Sequence, residues 1–372
     1  MKLLQLCAGQ IRLNQPLPWN VRTAPGELLL SKGFVVCTDR QLAALLERGV
    51  YVDEEEYERH RRQAEGAAQD DRFYVWSDML RKSAALLRDP RGNPNFKAQI
   101  TALSEQVHAA TSKDPDVGSF ELSHVENTGY PVLHSLHTAY LVTLACRRLG
   151  LSEPETRAAI GASLTMNLAM IELQATLCAQ RHGPTQEQKL AIRSHPQRSV
   201  ELLQALGVDD PLWLDAVRLH HERPDGHGYP SGCREVPILA SVLQHADIYL
   251  AKLSARRTRP AMPVHEAARS FFLQGGGAAN PVAAAIIKET GVYPPGSYVK
   301  LANGGVAVVV RRGENAAAPT AYSLTDAQGI AFTEPVRRDT RLDRFKVIGP
   351  VAQANALVRF DRARLFSVEF AG

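Results

Sequence analysis

The most specific stretch of this 372-residue sequence is His220-His221-Glu222-Arg223-Pro224-Asp225-Gly226-His227-Gly228-Tyr229-Pro230. Two adjacent histidines at the end of a helix point about 100° apart around its axis. Both imidazoles can serve one site only if two metal ions, or a metal ion and a substrate, lie side by side. The turn that follows is rich in glycine and proline and would cover that site. We therefore expect a metal or ligand site at this helix end.

Further residues of metal-binding type lie on either side of the histidine pair. His195 precedes Pro196, His134 lies on an earlier helix, and Asp247 lies downstream. Imidazole combined with carboxylate suits Fe, Mn or Zn better than Mg or Ca, which prefer oxygen ligands alone. The candidate metal ligands are therefore His134, His195, His220, His221 and Asp247.

The motif HHERPDGHGYP resembles the HHExxDGxGYP signature of HD-GYP domains. The resemblance covers residues 115–290 and implies metal-dependent hydrolysis of the bacterial second messenger cyclic di-GMP. It matches His134 to the family's first metal histidine and His195 to the histidine that opens a later helix. It matches His220 and His221 to the histidine pair, and Asp247 to the late aspartate.

The resemblance also implies residues that contact a ligand or a partner. Arg256 and Arg259 fall in an RPxR-like segment, although Arg257 and Thr258 replace its Pro-Tyr. By resemblance they would face the ligand phosphates, together with Tyr229 and Pro230, and guanidinium geometry suits that role. The alternative is that Arg256, Arg257 and Arg259 form only a solvated helix end and bind no phosphate. The loop that would recruit a signalling protein comprises Asp225, Gly226, Gly228, Tyr229 and Pro230.

The sequence departs from the family at its name-giving His-Asp pair. The HDxGK segment should fall at residues 165–169, where Thr165 replaces the histidine, Met166 the aspartate and Ala169 the lysine. A two-metal phosphodiesterase needs a bridging carboxylate between ions about 3.5–4 Å apart, and a methionine thioether is a soft donor that hard divalent metals avoid. We therefore expect at most one divalent transition metal (Fe, Mn or Zn), or none, and no catalytic residue at these three positions.

Three functions are compatible with these residues. The favoured hypothesis is a degenerate HD-GYP signalling protein that binds cyclic di-GMP or a protein partner without hydrolysis. A second hypothesis retains phosphodiesterase activity with one metal or with a substitute carboxylate, for which Glu172 is a weak candidate because it lies two turns beyond Thr165. The third is an interaction scaffold without a ligand.

The expected fold is mainly α, with a central all-α HD-type helical bundle flanked by small β-rich modules. Residues 1–65 alternate short apolar runs with turns, 70–290 carry helical spacing, and 293–372 show strand alternation around Asn303-Gly304-Gly305. Capping boxes begin helices at Ser152 and Thr185, and Thr38 is expected to cap a short helix. Further helices are expected over 186–194, 197–206 and 211–222. We expect a β-barrel or a sheet for the C-terminal module.

Composition narrows the class of protein. The sequence is 45% hydrophobic and 22% charged, with a formal charge of +4, so it predicts a folded chain and no nucleic-acid partner. The five scattered cysteines include no CxxC pair, which argues against a disulfide framework. No signal peptide and no uncharged run of about 18 residues is present, so we expect a cytoplasmic protein without a membrane span. A homodimer is plausible for a helical signalling domain, but no long heptad seam argues for it.

Overall fold

The computed structural model describes residues 3–5, 11, 16–36, 38–47, 50–57, 72–123, 129–254, 257, 261–262, 264–275, 277–313, 315, 318–351 and 365–366. The chain divides into two compact units, Met1–Asp71 and Arg72–Gly372. The described part contains no helix long and apolar enough to cross a membrane.

The first unit is a small antiparallel sheet with one helix. Its elements are β1 (Leu3–Gln5), β2 (Val21–Arg22), β3 (Leu28–Leu30), α1 (Asp39–Glu47) and β4 (Tyr51–Asp53), with the sheet order β1-β4-β2-β3. The expected N-cap at Thr38 is present, because Thr38 and Gln41 exchange side-chain-to-backbone hydrogen bonds of 3.2 Å each. Trp19, Val21 and Val52 form part of its buried core.

The second unit begins with the expected helical bundle. Its helices are α2 (Arg72–Arg88), α3 (Phe96–Lys113), α4 (Pro115–Ser123), α5 (Tyr130–Leu149), α6 (Glu153–Thr165), α7 (Ile171–Ala179), α8 (Gln186–Ala205), α9 (Pro211–Leu219), α10 (Ile238–Leu253), α11 (Val264–Gln274) and α12 (Pro281–Thr290). The mainly α fold class predicted from the sequence is confirmed. Helix α5 is buried along most of its length and packs against α6, α10 and α12.

Local sequence explains where these helices begin and end. Both predicted capping boxes are confirmed at α6 and α8, where Ser152 pairs with Glu155 and Thr185 pairs with Gln188. Gly150 ends α5 in the left-handed conformation, with φ of 69°. One expectation is wrong: residues 186–194 and 197–206 were predicted as two helices, but α8 runs continuously through Pro196. The predicted helix over 211–222 ends earlier, at Leu219.

An antiparallel sheet follows the helices and belongs to the same compact unit. Its described strands are β5 (Tyr298–Leu301), β6 (Val306–Arg311), β7 (Thr320–Thr325), β8 (Ala331–Asp339) and β9 (Val347–Pro350), in the order β8-β7-β6-β5-β9. The predicted hairpin between β5 and β6 is present, and Gly304 adopts a φ of 89° in its turn.

Partly buried ion pairs join this sheet to the helical bundle. Arg311 binds Asp114 at the start of α4, and Arg312 binds Asp116 at 2.5 Å. Arg312 also lies 3.1 Å from Glu289 on α12, whose carboxylate is almost fully buried. Glu289 is in turn 3.3 Å from Arg147 and 2.6 Å from Arg148 on α5. The Glu289 carboxylate thus pairs with Arg312, which directly follows β6, and with two arginines of α5.

We predict that Glu289→Gln destabilises this unit by about 2–4 kcal/mol, because it leaves three arginines facing a neutral group in a buried position. Urea unfolding at constant m-value is the measurement. The matched control is Asp209→Asn, which breaks an exposed ion pair with Lys97 and should leave the unfolding midpoint unchanged. Equal effects of the two variants would contradict the assignment of Glu289 as the central acid.

Candidate metal and ligand site

Three histidines, one from the middle of a helix and two from the end of another, meet in the second unit. His195 lies on α8, and His220 and His221 directly follow α9. The Nε2 atoms of His195 and His220 are 3.2 Å apart, and both side chains are buried. One ring nitrogen from each of the three histidines lies within 4.8 Å of the others. The structure therefore brings together three of the five predicted metal ligands, and we call this group the imidazole cluster.

Hydrogen bonds on the far side of two rings determine which nitrogen carries the proton. His195 Nδ1 lies 2.6 Å from the carbonyl oxygen of Ile192, and His220 Nδ1 lies 2.7 Å from that of Val217. A carbonyl only accepts, so each Nδ1 carries the hydrogen and each Nε2 is left with a lone pair. Two lone pairs that face each other at this distance repel unless a cation lies between or beside them. The donor set thus fits a divalent transition metal.

Burial keeps these imidazoles in the neutral form that binds metal. Loss of solvent lowers the pKa of His195 from 6.5 to about 3, with a further contribution from neighbouring His220. Burial also lowers the pKa of His220, and that of His221 falls well below its usual value for the same reason. A neutral imidazole is the ligating form, because the proton and the metal compete for the same lone pair.

The other two predicted ligands bond to each other. His134 Nε2 lies 2.7 Å from Asp247 Oδ1, and the side chain of His134 is buried. Burial opposes the charge of Asp247, but the hydrogen bond from His134 holds the pKa of its carboxyl below the usual value. Asp247 therefore remains an anion beside the imidazole cluster.

The positions of the missing His-Asp pair are occupied by packing and structural hydrogen bonds. Thr165 Oγ1 donates to the carbonyl oxygen of Gly161 at 2.7 Å and accepts from the indole Nε1 of Trp213 at 2.9 Å. Gly161 leaves space for that indole, since a Cβ there would lie 2.8 Å from the ring. Met166 is fully buried in the apolar core. Trp213 was not singled out from the sequence, because nothing in its local pattern indicates a hydrogen bond to α6.

We predict that Thr165→Val destabilises the protein by about 1–3 kcal/mol without changing its metal content, because it leaves the buried Trp213 indole without an acceptor. The measurements are denaturant unfolding and elemental analysis of the purified variant. Ser163→Ala is the matched control: that hydroxyl bonds only to the carbonyl of Ala159 in its own helix, so its loss should cost less. Loss of bound metal in Thr165→Val would contradict a purely structural role for Thr165.

Glu222 anchors the loop that follows the histidine pair. Its buried Oε1 accepts hydrogen bonds from the backbone N–H of Ser231 at 2.7 Å, the hydroxyl of Ser231 at 2.9 Å and the backbone N–H of Gly232 at 3.1 Å. Its own carbonyl oxygen accepts from Gln244 Nε2 at 2.6 Å. The start and end of the loop are therefore joined, and the loop is held against α10. Sequence reasoning left Glu222 without a role.

The loop folds back so that an aromatic ring covers the imidazole cluster. The Tyr229 ring is stacked on His221 with 4.5 Å between centroids, and its backbone N–H donates to the carbonyl of His221 at 3.1 Å. Gly228 permits this return, since a Cβ there would lie 2.5 Å from the backbone of Arg223. Asp225 and Pro230 are exposed. The loop thus places one face on the cluster and the other toward solvent.

We predict that Glu222→Ala opens this loop. Amide hydrogen exchange across residues 225–232 should rise at least tenfold, because three hydrogen bonds lose their acceptor. Asp225→Asn, which changes an exposed carboxylate on the same loop, is the control and should leave exchange at Ser231 and Gly232 unchanged. Unaltered exchange in Glu222→Ala would show that the loop is held by other contacts.

The predicted phosphate-contacting residues Arg256 and Arg259 lie outside the described residues. A different arginine, Arg193 on α8, lies at the edge of the cluster, with its guanidinium carbon 5.6 Å from the centroid of the Tyr229 ring. It is exposed, and the ion pairs found in the described residues do not include it. Arg193 precedes His195 by two positions, a spacing that sequence reasoning did not use. The substitute carboxylate considered for the cluster, Glu172, is exposed on α7 and is not in the cluster formed by described residues.

The comparisons with known proteins agree with this geometry. Residues 107–276 match the family model described as HD domain. The helical bundle is thus similar to an HD domain over these residues. By the resemblance, Thr165 and Met166 stand at the positions of the family's His-Asp pair, and the predicted metal ligands lie on α5, α8 and α10 and directly after α9.

Two relatives of the chain are named as cyclic di-GMP phosphodiesterases. The chain is 26% identical over 231 residues to cyclic di-GMP phosphodiesterase PA4108 of Pseudomonas aeruginosa, covering 61% of this chain and 56% of that protein. It is 29% identical over 147 residues to the cyclic di-GMP phosphodiesterase response regulator RpfG of Xanthomonas campestris, covering 37% of each. The chain thus spans about half or less of these relatives. The solved structure of Bd1817, a HDG"Y"P protein from Bdellovibrio bacteriovorus, aligns with a TM-score of 0.49 at 15% identity, covering 77% of this chain and 99% of that chain. The HD-GYP resemblance read from the sequence is confirmed.

Proposed function

We propose that this protein is a cyclic di-GMP receptor of HD-GYP type that binds its ligand beside the imidazole cluster and does not hydrolyse it. The observation that carries the proposal is the Thr165 hydroxyl, which is engaged with Gly161 and Trp213 where the family has a metal-binding His-Asp pair. The names of the relatives supply the ligand class.

The imidazole cluster would hold one divalent transition metal, Fe, Mn or Zn. His195, His220 and His221 supply three nitrogen donors, and His134 and Asp247 balance charge from the side. Such an ion would act as a Lewis acid toward a phosphate oxygen. The protein's own residues would have two tasks at this cluster: they hold the donor set in place, and they keep Asp247 ionised next to it.

Hydrolysis by the two-metal route requires a second ion and a carboxylate between the two. Met166 is buried in the apolar core at the position of that carboxylate, and Ala169 offers no cation in place of the family's lysine. Loss of one of the two metal ions removes several kcal/mol of transition-state stabilisation. We therefore expect the rate of hydrolysis to fall by orders of magnitude. Binding depends on other contacts and would survive.

Arg193 and Tyr229 are the described residues that we assign to ligand binding. A nucleobase or ribose can pack against the exposed edge of the Tyr229 ring, and the Arg193 guanidinium can bind a phosphate oxygen. Arg256, Arg259 and Pro230 remain proposed contacts on the resemblance alone.

The solvent side of the loop would recruit a signalling protein. Asp225 and Pro230 are exposed there, whereas Gly226 and Gly228 give the loop its shape, with a φ of 78° at Gly226. A homodimer remains a prediction from the sequence.

One observation favours a second candidate function, hydrolysis with one metal. Asp247 is an oriented carboxylate beside the cluster, held by a 2.7 Å hydrogen bond from His134, and it could accept a proton from a water molecule. This candidate needs no second ion, and it predicts turnover that is lost in His220→Ala and in Asp247→Asn.

The test measures binding and turnover of cyclic di-GMP in the same preparation, with added Mn²⁺ or Fe²⁺. We predict saturable binding and no product above the no-enzyme control. Binding with metal-dependent turnover that disappears in His220→Ala would support the second candidate instead. If the intact protein does not bind cyclic di-GMP, the remaining hypothesis is an interaction scaffold without a ligand.

Arg193→Gln should weaken cyclic di-GMP binding at least fivefold and flatten its dependence on salt concentration, because one phosphate contact is lost. Arg198→Gln is the matched control: this arginine is also exposed on α8 but has no recorded contact with the Tyr229 ring. Equal affinity of the two variants would remove Arg193 from the site.

A further inference from the structure

A proline lies inside the continuous helix α8, next to the candidate metal ligand His195. Pro196 follows His195 directly and lies in the middle of the helix, where both residues are buried. Proline has no backbone N–H, and its ring clashes with the carbonyl group four residues earlier. The carbonyl of Ile192 is therefore left without its helical donor.

The His195 ring supplies the missing donor. Its Nδ1 lies 2.6 Å from the oxygen of Ile192, the same carbonyl that Pro196 leaves free. This bond directs the opposite nitrogen, Nε2, toward His220 at 3.2 Å. The missing backbone hydrogen bond at Pro196 and the orientation of the His195 imidazole thus involve the same carbonyl group.

His220 obtains the same arrangement by a different route. It follows the last residue of α9, and its Nδ1 lies 2.7 Å from the carbonyl of Val217 in the final helical turn. Carbonyls in a last turn have no helical donor, so a side chain is free to satisfy them. His195 lies ten residues before the end of α8. At that position Pro196 removes the backbone donor of the Ile192 carbonyl.

We propose that Pro196 is a positioning residue for the metal site: by denying Ile192 its helical hydrogen bond, it commits His195 Nδ1–H to that carbonyl and leaves Nε2 as the metal donor. This inference rests on the metal-binding part of the proposed function. A role limited to folding would not favour proline here, because alanine restores a backbone hydrogen bond and strengthens a helix. Pro196 therefore lowers the stability of α8 and fixes the tautomer of the His195 imidazole.

The experiment compares the intact protein with Pro196→Ala and with Pro211→Ala as the control. Pro211 is the first residue of α9, where a backbone N–H has no helical partner in any case. The first readout is the ¹⁵N spectrum of the imidazoles in chelator-treated protein, with the His195 signals assigned by their loss in His195→Gln. We expect pure Nδ1–H in the wild type and a mixture of tautomers in Pro196→Ala.

The second and third readouts are Zn²⁺ affinity, measured in competition with a chromophoric chelator, and the thermal midpoint of the metal-free protein. Pro196→Ala should bind Zn²⁺ about 10–100-fold more weakly, as for other groups that orient a ligand. Its metal-free midpoint should be equal to or higher than that of the wild type. Pro211→Ala should change neither the tautomer nor the affinity.

An unchanged His195 tautomer in Pro196→Ala overturns the inference, as does weaker Zn²⁺ binding accompanied by a lower midpoint, which would indicate general damage to the fold. If the proposed metal site is wrong, the wild-type protein will bind no Zn²⁺. The tautomer readout still reports on Pro196 in that case, so the two failures are distinguishable.

Discussion

The arrangement of the site depends on two imidazole nitrogens that face each other without a hydrogen between them. His195 and His220 each use Nδ1–H on a backbone carbonyl, so that their Nε2 atoms meet at 3.2 Å as lone pairs. Two such groups in a buried position are unfavourable unless a cation satisfies them. The surrounding elements maintain this contact: Pro196 removes one backbone N–H inside α8, and α9 ends just before His220. Glu222 holds the following loop so that Tyr229 covers His221.

The positions that correspond by resemblance to the family's His-Asp pair contribute to the packing of the fold instead of to the imidazole cluster. Thr165 joins α6 to α9 through the indole of Trp213, and Met166 adds to the apolar core. Each substitution removes a charged or metal-binding group from the interior and replaces it with a contact that costs no desolvation. His134 and Asp247 then satisfy each other directly. On our proposal, the ligand would bind beside the imidazole cluster, and these positions would offer no ligands for a second ion.

Much of this was predictable from the sequence where the signal is local. The motif from His220 to Pro230 indicated both the family and the loop, and the capping pairs at Ser152 and Thr185 indicated helix starts through contacts three residues apart. Long-range contacts were not predictable in the same way. The hydrogen bond from Trp213 to Thr165 joins residues 48 positions apart, and no periodicity reports it. Pro196 was misread as a helix boundary, because the usual effect of proline does not anticipate a side chain that takes the place of its missing donor.

The central claim is that this pocket binds a single ion through imidazoles and has no bridging carboxylate. Anomalous diffraction from crystals grown with Mn²⁺ or Fe²⁺ tests it most directly, since the signal locates each ion and identifies the metal. We predict one peak per chain, within bonding distance of the Nε2 atoms of His195 and His220 and a ring nitrogen of His221. Two fully occupied peaks about 3.5–4 Å apart, the spacing of a two-metal hydrolase, would contradict it.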